Sequence, residues 1–393
     1  MAKLGAVTCS GPQSRGTRPG TNVERWTEER SRSVFTVAAV QAAPVYLNRD
    51  ATVDKACALI REAGRTGARL VAFPEVFVPG YPHWIYLDRP QANERYFVEL
   101  VREAVEVPGP VTERLGQAAR EASAYVVIGV NERSQRSVGE LFNTNLIFGP
   151  DGSLLGWHRK LMPTYAEKMI WSFGDGSTLQ VYETAVGRLG TLCCGENTNP
   201  LARFALIAQG EQVHVANYPA RPAGDTVDLR HDIEIRSAAH AFEGKCFVVV
   251  AGSLISPEMR ERLGDSPEKL RLLGNGSQTF TGILGPDGKV IAGPAAADAE
   301  EIISGVVDLE GAIRQKIRHD VAGNYNRFDV LSLMLNRSPL AAIREVTRMP
   351  TGLEITGPQT WPLLEELRRR VGSASPEELR DLVETLLASL TPK

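Results

Sequence analysis

Short apolar runs alternate along the chain with stretches whose apolar positions recur every three or four residues. Strand-length runs lie at 35–45, 69–75, 124–130, 141–148, 154–159, 188–194, 212–218, 246–252, 278–284 and 302–308. Between them, Val53, Ala56, Cys57 and Ile60 follow the i, i+3, i+4, i+7 spacing of one helical face, which makes Cys57 a core residue. Residues 94–105, 112–122, 200–209 and 228–242 read as further helices. Two Gly-Pro-Asp-Gly segments, at 149–152 and 285–288, each separate two strand-like runs and predict hairpin turns. Regular alternation of this kind predicts an α/β fold.

Both ends of the chain break the pattern. Residues 1–33 are rich in Ser, Gly, Arg and Thr with few large apolar side chains, and are expected to be a disordered extension. Near the other end, Ser375-Pro376-Glu377-Glu378 carries an N-cap, a proline at the first helical position and a capping glutamate. Leu379, Leu382, Val383, Leu386, Leu387 and Leu390 then form one apolar stripe. With Leu363, Leu364, Leu367 and Val371 it predicts a helical hairpin inside a C-terminal extension, 336–393, that packs on its own domain or on a second subunit. The main domain is expected at 34–335.

Composition narrows the function classes. A hydrophobic share of 43% with 23% charged residues is that of a globular chain with a sizeable core, and a net charge of −3 offers nucleic acid no basic surface. Runs such as Cys246-Phe247-Val248-Val249-Val250-Ala251 are far shorter than the ~18 residues of a membrane span. The five cysteines are odd in number and lack metal-type spacing, which predicts free thiols in a reducing cytoplasm. The start of the chain is too weakly charged, and its apolar stretch too short, for a secretory signal.

The candidate chemistry sits where strands stop. In Leu192-Cys193-Cys194-Gly195-Glu196-Asn197 an apolar strand turns toward a helix and exposes the Cys194 thiol at the turn. A thiol reacts as thiolate, from a starting pKa of ~8.5, so a catalytic one needs a base and a positive charge beside it. Glu75, in Phe73-Pro74-Glu75-Val76-Phe77, ends one strand-like run, and Lys160, in Trp157-His158-Arg159-Lys160-Leu161, ends another. Cys193 is the competing thiol, but alternation turns it to the opposite face of its strand. Alternation likewise turns His158 away from Lys160, which makes it structural; His231 and His240, on the following helix, are expected to pack or cap.

Glu75, Lys160 and Cys194, in that order, resemble the nitrilase (carbon-nitrogen hydrolase) superfamily, and within it the nitrilase branch. The likeness runs from Val40-Gln41-Ala42-Ala43-Pro44 through Met162-Pro163-Thr164-Tyr165 and Gly174-Asp175-Gly176-Ser177 to His319-Asp320-Val321-Ala322-Gly323. Ordered, independent motifs of this kind are more specific than any one alone. The resemblance implies a four-layer α-β-β-α sandwich that assembles into dimers and larger spirals, acts on a small nitrile, and uses no cofactor or metal. It also implies roles: Cys194 as nucleophile, Glu75 as general base, Lys160 as the cation that stabilises developing negative charge, and Glu167 as the carboxylate that positions Lys160. The Cys-x-Glu spacing of the family selects Cys194, two residues before Glu196. Tyr81, Trp84, Trp171 and Gly195 are candidate substrate-binding residues.

Gly195 departs from the family, which usually places an aromatic residue after the nucleophile, and is expected to leave room for a bulky or α-branched nitrile. An amidase or carbamoylase of the same superfamily would use the same residues on an amide. A catalytically silent scaffold would have no reason to keep all of them.

Overall fold

The computed structural model describes residues 33–343. Apart from Ser33, the expected N-terminal extension lies outside the described residues, as does the C-terminal helical hairpin.

Two six-stranded mixed sheets stack face to face. The first contains β1 (Val34–Gln41), β2 (Ala68–Ala72), β3 (Tyr125–Arg133), β4 (Leu141–Phe148), β5 (Leu154–Arg159) and β14 (Glu301–Asp308) in the order β14-β1-β2-β3-β4-β5. The second contains β6 (Tyr182–Thr184), β7 (Gly187–Cys193), β8 (Val213–Tyr218), β10 (Phe247–Gly252), β12 (Gly282–Leu284) and β13 (Val290–Ala292) in the order β13-β12-β10-β8-β7-β6. A small ribbon pairs β9 (Arg221–Pro222) with β11 (Ser277–Gln278). At the centre of each sheet three strands run parallel, β1-β2-β3 and β7-β8-β10. Antiparallel strands close the flanks, with the two Gly-Pro-Asp-Gly turns joining β4 to β5 and β12 to β13.

Strand alternation builds the layers. On β1, Val37 and Ala39 face the second sheet, where they meet Leu189, Val213, Val215 and Val249, while Ala38 and Val40 face outward. That outer face is covered by α1 (Arg49–Arg65), through Val53, Ala56, Cys57 and Ile60, and by α3 (Pro110–Ala122), through Leu115 and Ala118; α2 (Glu94–Glu103) precedes α3 in the chain. On the second sheet, Ala216, Tyr218, Val248 and Val250 pack under Leu229, Ile233 and Ala241 of α5 (Leu229–Gly244), beside α4 (Pro200–Ile207). These are the four α-β-β-α layers expected from the resemblance.

Elsewhere the apolar pattern was less informative. The run at 278–284 divides into β11 and β12, because Thr279-Phe280-Thr281 leaves the sheet to bury Phe280. Two short helices, α6 (Pro257–Leu263) and α7 (Pro267–Leu273), and α8 (Leu309–Lys316) were not among those predicted. Among the described residues no helix is long and apolar enough to cross a membrane.

Candidate active site

Glu75, Lys160 and Cys194 each leave a strand at its C-terminal end, from β2, β5 and β7 respectively. Two of the three exits are conformationally unusual. Cys194 itself has φ +40°, and Val76, directly after Glu75, has φ +39°, a region costly for a β-branched residue. The Glu75 turn reaches its place because β3 carries a glycine beneath it: a Cβ on Gly129 would lie 2.3 Å from the Val76 nitrogen and 2.6 Å from the Pro74 carbonyl oxygen.

The three acidic and basic side chains form one buried cluster. Lys160 Nζ lies 2.8 Å from Glu75 Oε1 and 2.7 Å from Glu167 Oε2, and neither Lys160 nor Glu75 is more than 1% exposed. Glu75 Oε1 also accepts from Asn143 Nδ2 at 2.8 Å. Glu167 is held twice more, by the Tyr81 hydroxyl at 2.7 Å and the Thr164 N–H at 2.7 Å. Glu75 Oε2, by contrast, is buried without a hydrogen-bond partner. An unpaired, buried carboxylate oxygen is able to accept a proton.

Charge in this cluster is unevenly balanced, with two carboxylates against one ammonium. Burial, aided by Glu167, raises Glu75 from 4.5 to about 7 against the pull of Lys160. Burial alone would push Lys160 down, but Glu167 and then Glu75 hold it well above the ordinary lysine range. Cys194 responds to the same groups: burial and then Glu75 push its thiol up, with Lys160 pulling the other way. The resting site is therefore a protonated thiol beside a base that titrates near neutrality.

A cavity opens over Cys194. Its lining includes Tyr81, His83, Tyr86, Thr164, Glu167 and Gly195 together with Arg221, Leu229 and Arg236. Burial pushes His83 down to about 3, so its imidazole is neutral in the wall. Arg236 is paired with Asp232 at 2.9 Å, and Arg221 reaches Asp225 while standing over the Tyr86 ring.

Of the substrate-binding candidates, Tyr81 and Gly195 lie on this wall and the two tryptophans do not. Trp84 turns into the core, stacked on Tyr96 at 5.3 Å, with Tyr46 edge-on at 6.4 Å. Trp171 donates its indole N–H to Asn131 at 2.9 Å and meets the ring of Tyr81, so it supports the wall from behind. The space beside Gly195 is already taken. A Cβ there would lie 2.6 Å from Thr164 Oγ1, so the glycine accommodates a threonine of the same chain and the expected room for a branched nitrile is not in that direction.

Other residues shape the nucleophile turn. Cys193 continues the inter-sheet face of β7 and is wholly buried. Its N–H donates to Glu196 Oε2 at 2.8 Å, while Glu196 Oε1 accepts from Leu161 N–H at 2.6 Å, which ties the nucleophile turn to the lysine strand. His158 Nε2 stands 3.1 Å from Glu196, in a supporting position. His240 is buried in a cluster with Glu211 and His214, and Asp228 caps α5 by accepting from the backbone N–H of His231.

Sequence reasoning did not single out Asn143, Thr164, His83, Tyr86 or Arg236. Asn143 had a signal, since Asn143-Thr144-Asn145 interrupts an otherwise apolar strand, and buried polar residues need partners. Arg236 had none, because its place depends on how α5 crosses the strand ends.

The carbon-nitrogen hydrolase family profile matches residues 36–316. The chain is 40% identical over 331 residues to Nitrilase 3 of an unknown prokaryotic organism, covering 83% of this chain and 97% of that one. It is 38% identical over 321 residues to a nitrilase of Pseudomonas syringae pv. syringae (strain B728a), covering 81% and 94%. It is also 38% identical over 309 residues to an aliphatic nitrilase of Rhodococcus rhodochrous, covering 78% and 83%. Among solved structures, Saccharomyces cerevisiae Nit3, a member of branch 10 of the nitrilase superfamily, shares the fold with a TM-score of 0.58 at 20% identity, covering 73% of this chain and 94% of that one. With these matches spanning both sheets and every strand exit described above, the chain belongs to the carbon-nitrogen hydrolase family, in its nitrilase branch.

Proposed function

We propose that this protein hydrolyses organic nitriles to the carboxylic acid and ammonia, with Cys194 as nucleophile, Glu75 as general base, Lys160 as stabilising cation and Glu167 as the residue that positions Lys160. The observation that carries the reading is the buried Glu75–Lys160–Glu167 cluster beside the Cys194 cavity, with one oxygen of Glu75 free. The similar proteins described as nitrilases support the choice of substrate class.

Glu75 takes the thiol proton as sulfur adds to the nitrile carbon and passes it to the nitrogen, which gives a thioimidate and leaves Glu75 ionised again. Glu75 then removes a proton from water, which adds to the same carbon and gives a tetrahedral species. Loss of ammonia leaves an acyl-thioester, and a second water releases the acid and the thiol. Two waters are consumed for each ammonia and acid formed. Lys160 cannot swing away from its two carboxylates, so its charge is preorganised for the negative charge that develops on the attacked group.

Ammonia and acid should appear one to one from a panel of aliphatic, aromatic and arylacetonitriles, and intact-mass analysis should trap an acyl adduct on Cys194. Turnover of amides or carbamoyl compounds with none of any nitrile would overturn the substrate assignment.

The proposal includes self-association and a cytoplasmic site of action. Exposed Met162, Tyr165, Met169 and Phe173 around the lysine loop support the first, and the free Cys57, Cys193, Cys194 and Cys246 support the second. Light scattering that gave a monomer mass would overturn the first.

A further inference from the structure

Behind the nucleophile lies a group of buried polar side chains that the reaction does not touch. Glu211, His214 on β8 and His240 on α5 are at most 1% exposed. The two carboxylate oxygens of Glu211 stand 2.7 Å from His214 Nδ1 and 2.7 Å from His240 Nε2, and the imidazole rings stack at 3.8 Å. These are hydrogen-bond separations, shorter than the roughly 3.3 Å that separates ligands around a tetrahedral zinc. As placed, the three side chains form a hydrogen-bonded network.

Its outlet is Asn197. His214 Nε2 lies 2.9 Å from Asn197 Oδ1, while Asn197 Nδ2 donates to the carbonyls of Leu192 and Cys194 at 3.2 and 3.1 Å. Because Nδ2 serves two acceptors, Oδ1 is itself an acceptor and His214 must carry a proton on Nε2. Reversing the amide would set Oδ1 against two carbonyl oxygens and lose both bonds. His214 therefore supplies the third hydrogen bond to the Asn197 amide, on the side away from the two carbonyls, and restrains where that amide sits.

That placement matters because Cys194 is held at φ +40°, which a non-glycine residue keeps only when its surroundings impose it. We propose that His214, buttressed by Glu211, is a positioning residue for Cys194: it fixes Asn197 so that the carbonyls of Leu192 and Cys194 are pinned and the thiol stays aimed into the cavity. The proposal rests on Cys194 being the nucleophile.

The test compares His214→Gln with His214→Asn in the full-length protein. The glutamine amide reaches the position of Nε2 and can donate to Asn197; the asparagine amide reaches only the position of Nδ1 and keeps Glu211 alone. His214→Asn should lower kcat about 100-fold with KM within about threefold, the size of effect that a misplacement near 1 Å produces. It should change the alkylation rate of Cys194 as well. His214→Gln should recover kcat to within about fivefold of the parent.

Equal kcat loss in both variants, loss that simply tracks Tm, or a change confined to KM would overturn the proposal. Should His214→Asn fail to fold, Asn197→Asp serves instead: it keeps the acceptor for His214 and removes the donor from both carbonyls. An unchanged kcat there overturns the proposal, and a fall with unchanged KM and Tm supports it. Cys194→Ala separates the two readings. If Cys194→Ala still turns over, the nucleophile assignment is wrong. If it is dead while His214→Asn and Asn197→Asp remain fully active, only the positioning role fails.

Discussion

Replacing Glu75 with glutamine should abolish turnover and make the protein more stable at alkaline pH. Glu75 is fully buried, its carboxyl is raised from 4.5 to about 7, and burial is the largest cause. A raised folded-state pKa means that the native protein holds a proton which the unfolded chain releases. Stability is complete below about pH 4.5, falls across the window from 4.5 to about 7, and is level above it. At 1.36 kcal/mol per unit, the ionised carboxylate costs about 3 kcal/mol at pH 8. Glutamine imitates the protonated form. Its Oε1 can still accept from Lys160 and Asn143, and its amide nitrogen takes the place of the already unpartnered Oε2. With an unfolding entropy near 2.1 cal/mol/K per residue, a body of this size should gain about 5 °C in Tm at pH 8. Near pH 5 the gain should shrink below about 1 kcal/mol, because most of the native Glu75 is then protonated. Circular-dichroism melts of both proteins at the two pH values make the measurement. A glutamine variant less stable than the parent at pH 8, or a difference independent of pH, would refute the reasoning, since the Lys160–Glu75 attraction would then outweigh the cost of burying the charge.

Three further outcomes are expected. In ammonia-release assays Cys194→Ala should be inactive and folded while Cys193→Ala, which leaves the backbone N–H to Glu196 in place, keeps most activity; the reverse would sink the nucleophile assignment. The specificity constant should fall tenfold per pH unit below about 7 as Glu75 gains its proton, and Asn143→Ala, which removes a bond to the carboxylate, should move that limb to higher pH; a limb that stays put in the variant would show that Asn143 does not act on Glu75. Gly195→Ala should reduce kcat/KM roughly 10- to 100-fold by driving a methyl into Thr164, and Thr164→Ala in the same chain should recover most of the loss; additive losses in the double-mutant cycle would mean that the two side chains do not meet.

Much of the architecture is legible because the two sheets are buried on both faces. Each central strand becomes a continuous apolar run, and each run ends where chemistry begins. The short helices α6 and α7 were missed although Ser256-Pro257-Glu258 and Ser266-Pro267-Glu268 repeat the N-cap, proline and glutamate pattern read at Ser375. Their few apolar positions were too short a stretch to show a period. Glu167 could be named only through the resemblance, because its pairing with Lys160 depends on a tight turn at Tyr165, φ +49°, and not on strand or helix spacing. The tryptophans mislead for a general reason. Nearness in sequence to Glu75 or Glu167 says nothing of direction once the chain has entered a 3₁₀ turn, and a large aromatic gains more from the core than from a cavity wall.

Three of the seven non-glycine residues at positive φ among the described residues stand next to the buried Glu75, Lys160 and Glu167. Val76, Tyr165 and Cys194 are non-glycine residues at positive φ, and each adjoins or is a member of the site; a conformation of this sort costs ~1–3 kcal/mol. Beside them stands a carboxylate whose ionisation costs about as much again at alkaline pH. None of this arises from a shortage of better residues, since a neutral side chain at position 75 would relieve the second cost outright. On the mechanism proposed above, it follows from where the charges must be when sulfur attacks carbon. A base with a free oxygen and a thiol presented on a sharp turn are each unfavourable in the resting protein, whereas the Lys160 ammonium is held charged by its two carboxylates; on the proposed mechanism all three lower the reorganisation left to do in the transition state. The apolar layer between the sheets, filled by Val37, Leu70, Val127, Leu189, Val215 and Val249, holds that arrangement in place. Substitutions that stabilise this protein by more than about 2 kcal/mol should therefore concentrate among the residues of the site, and those should be the ones that cost activity.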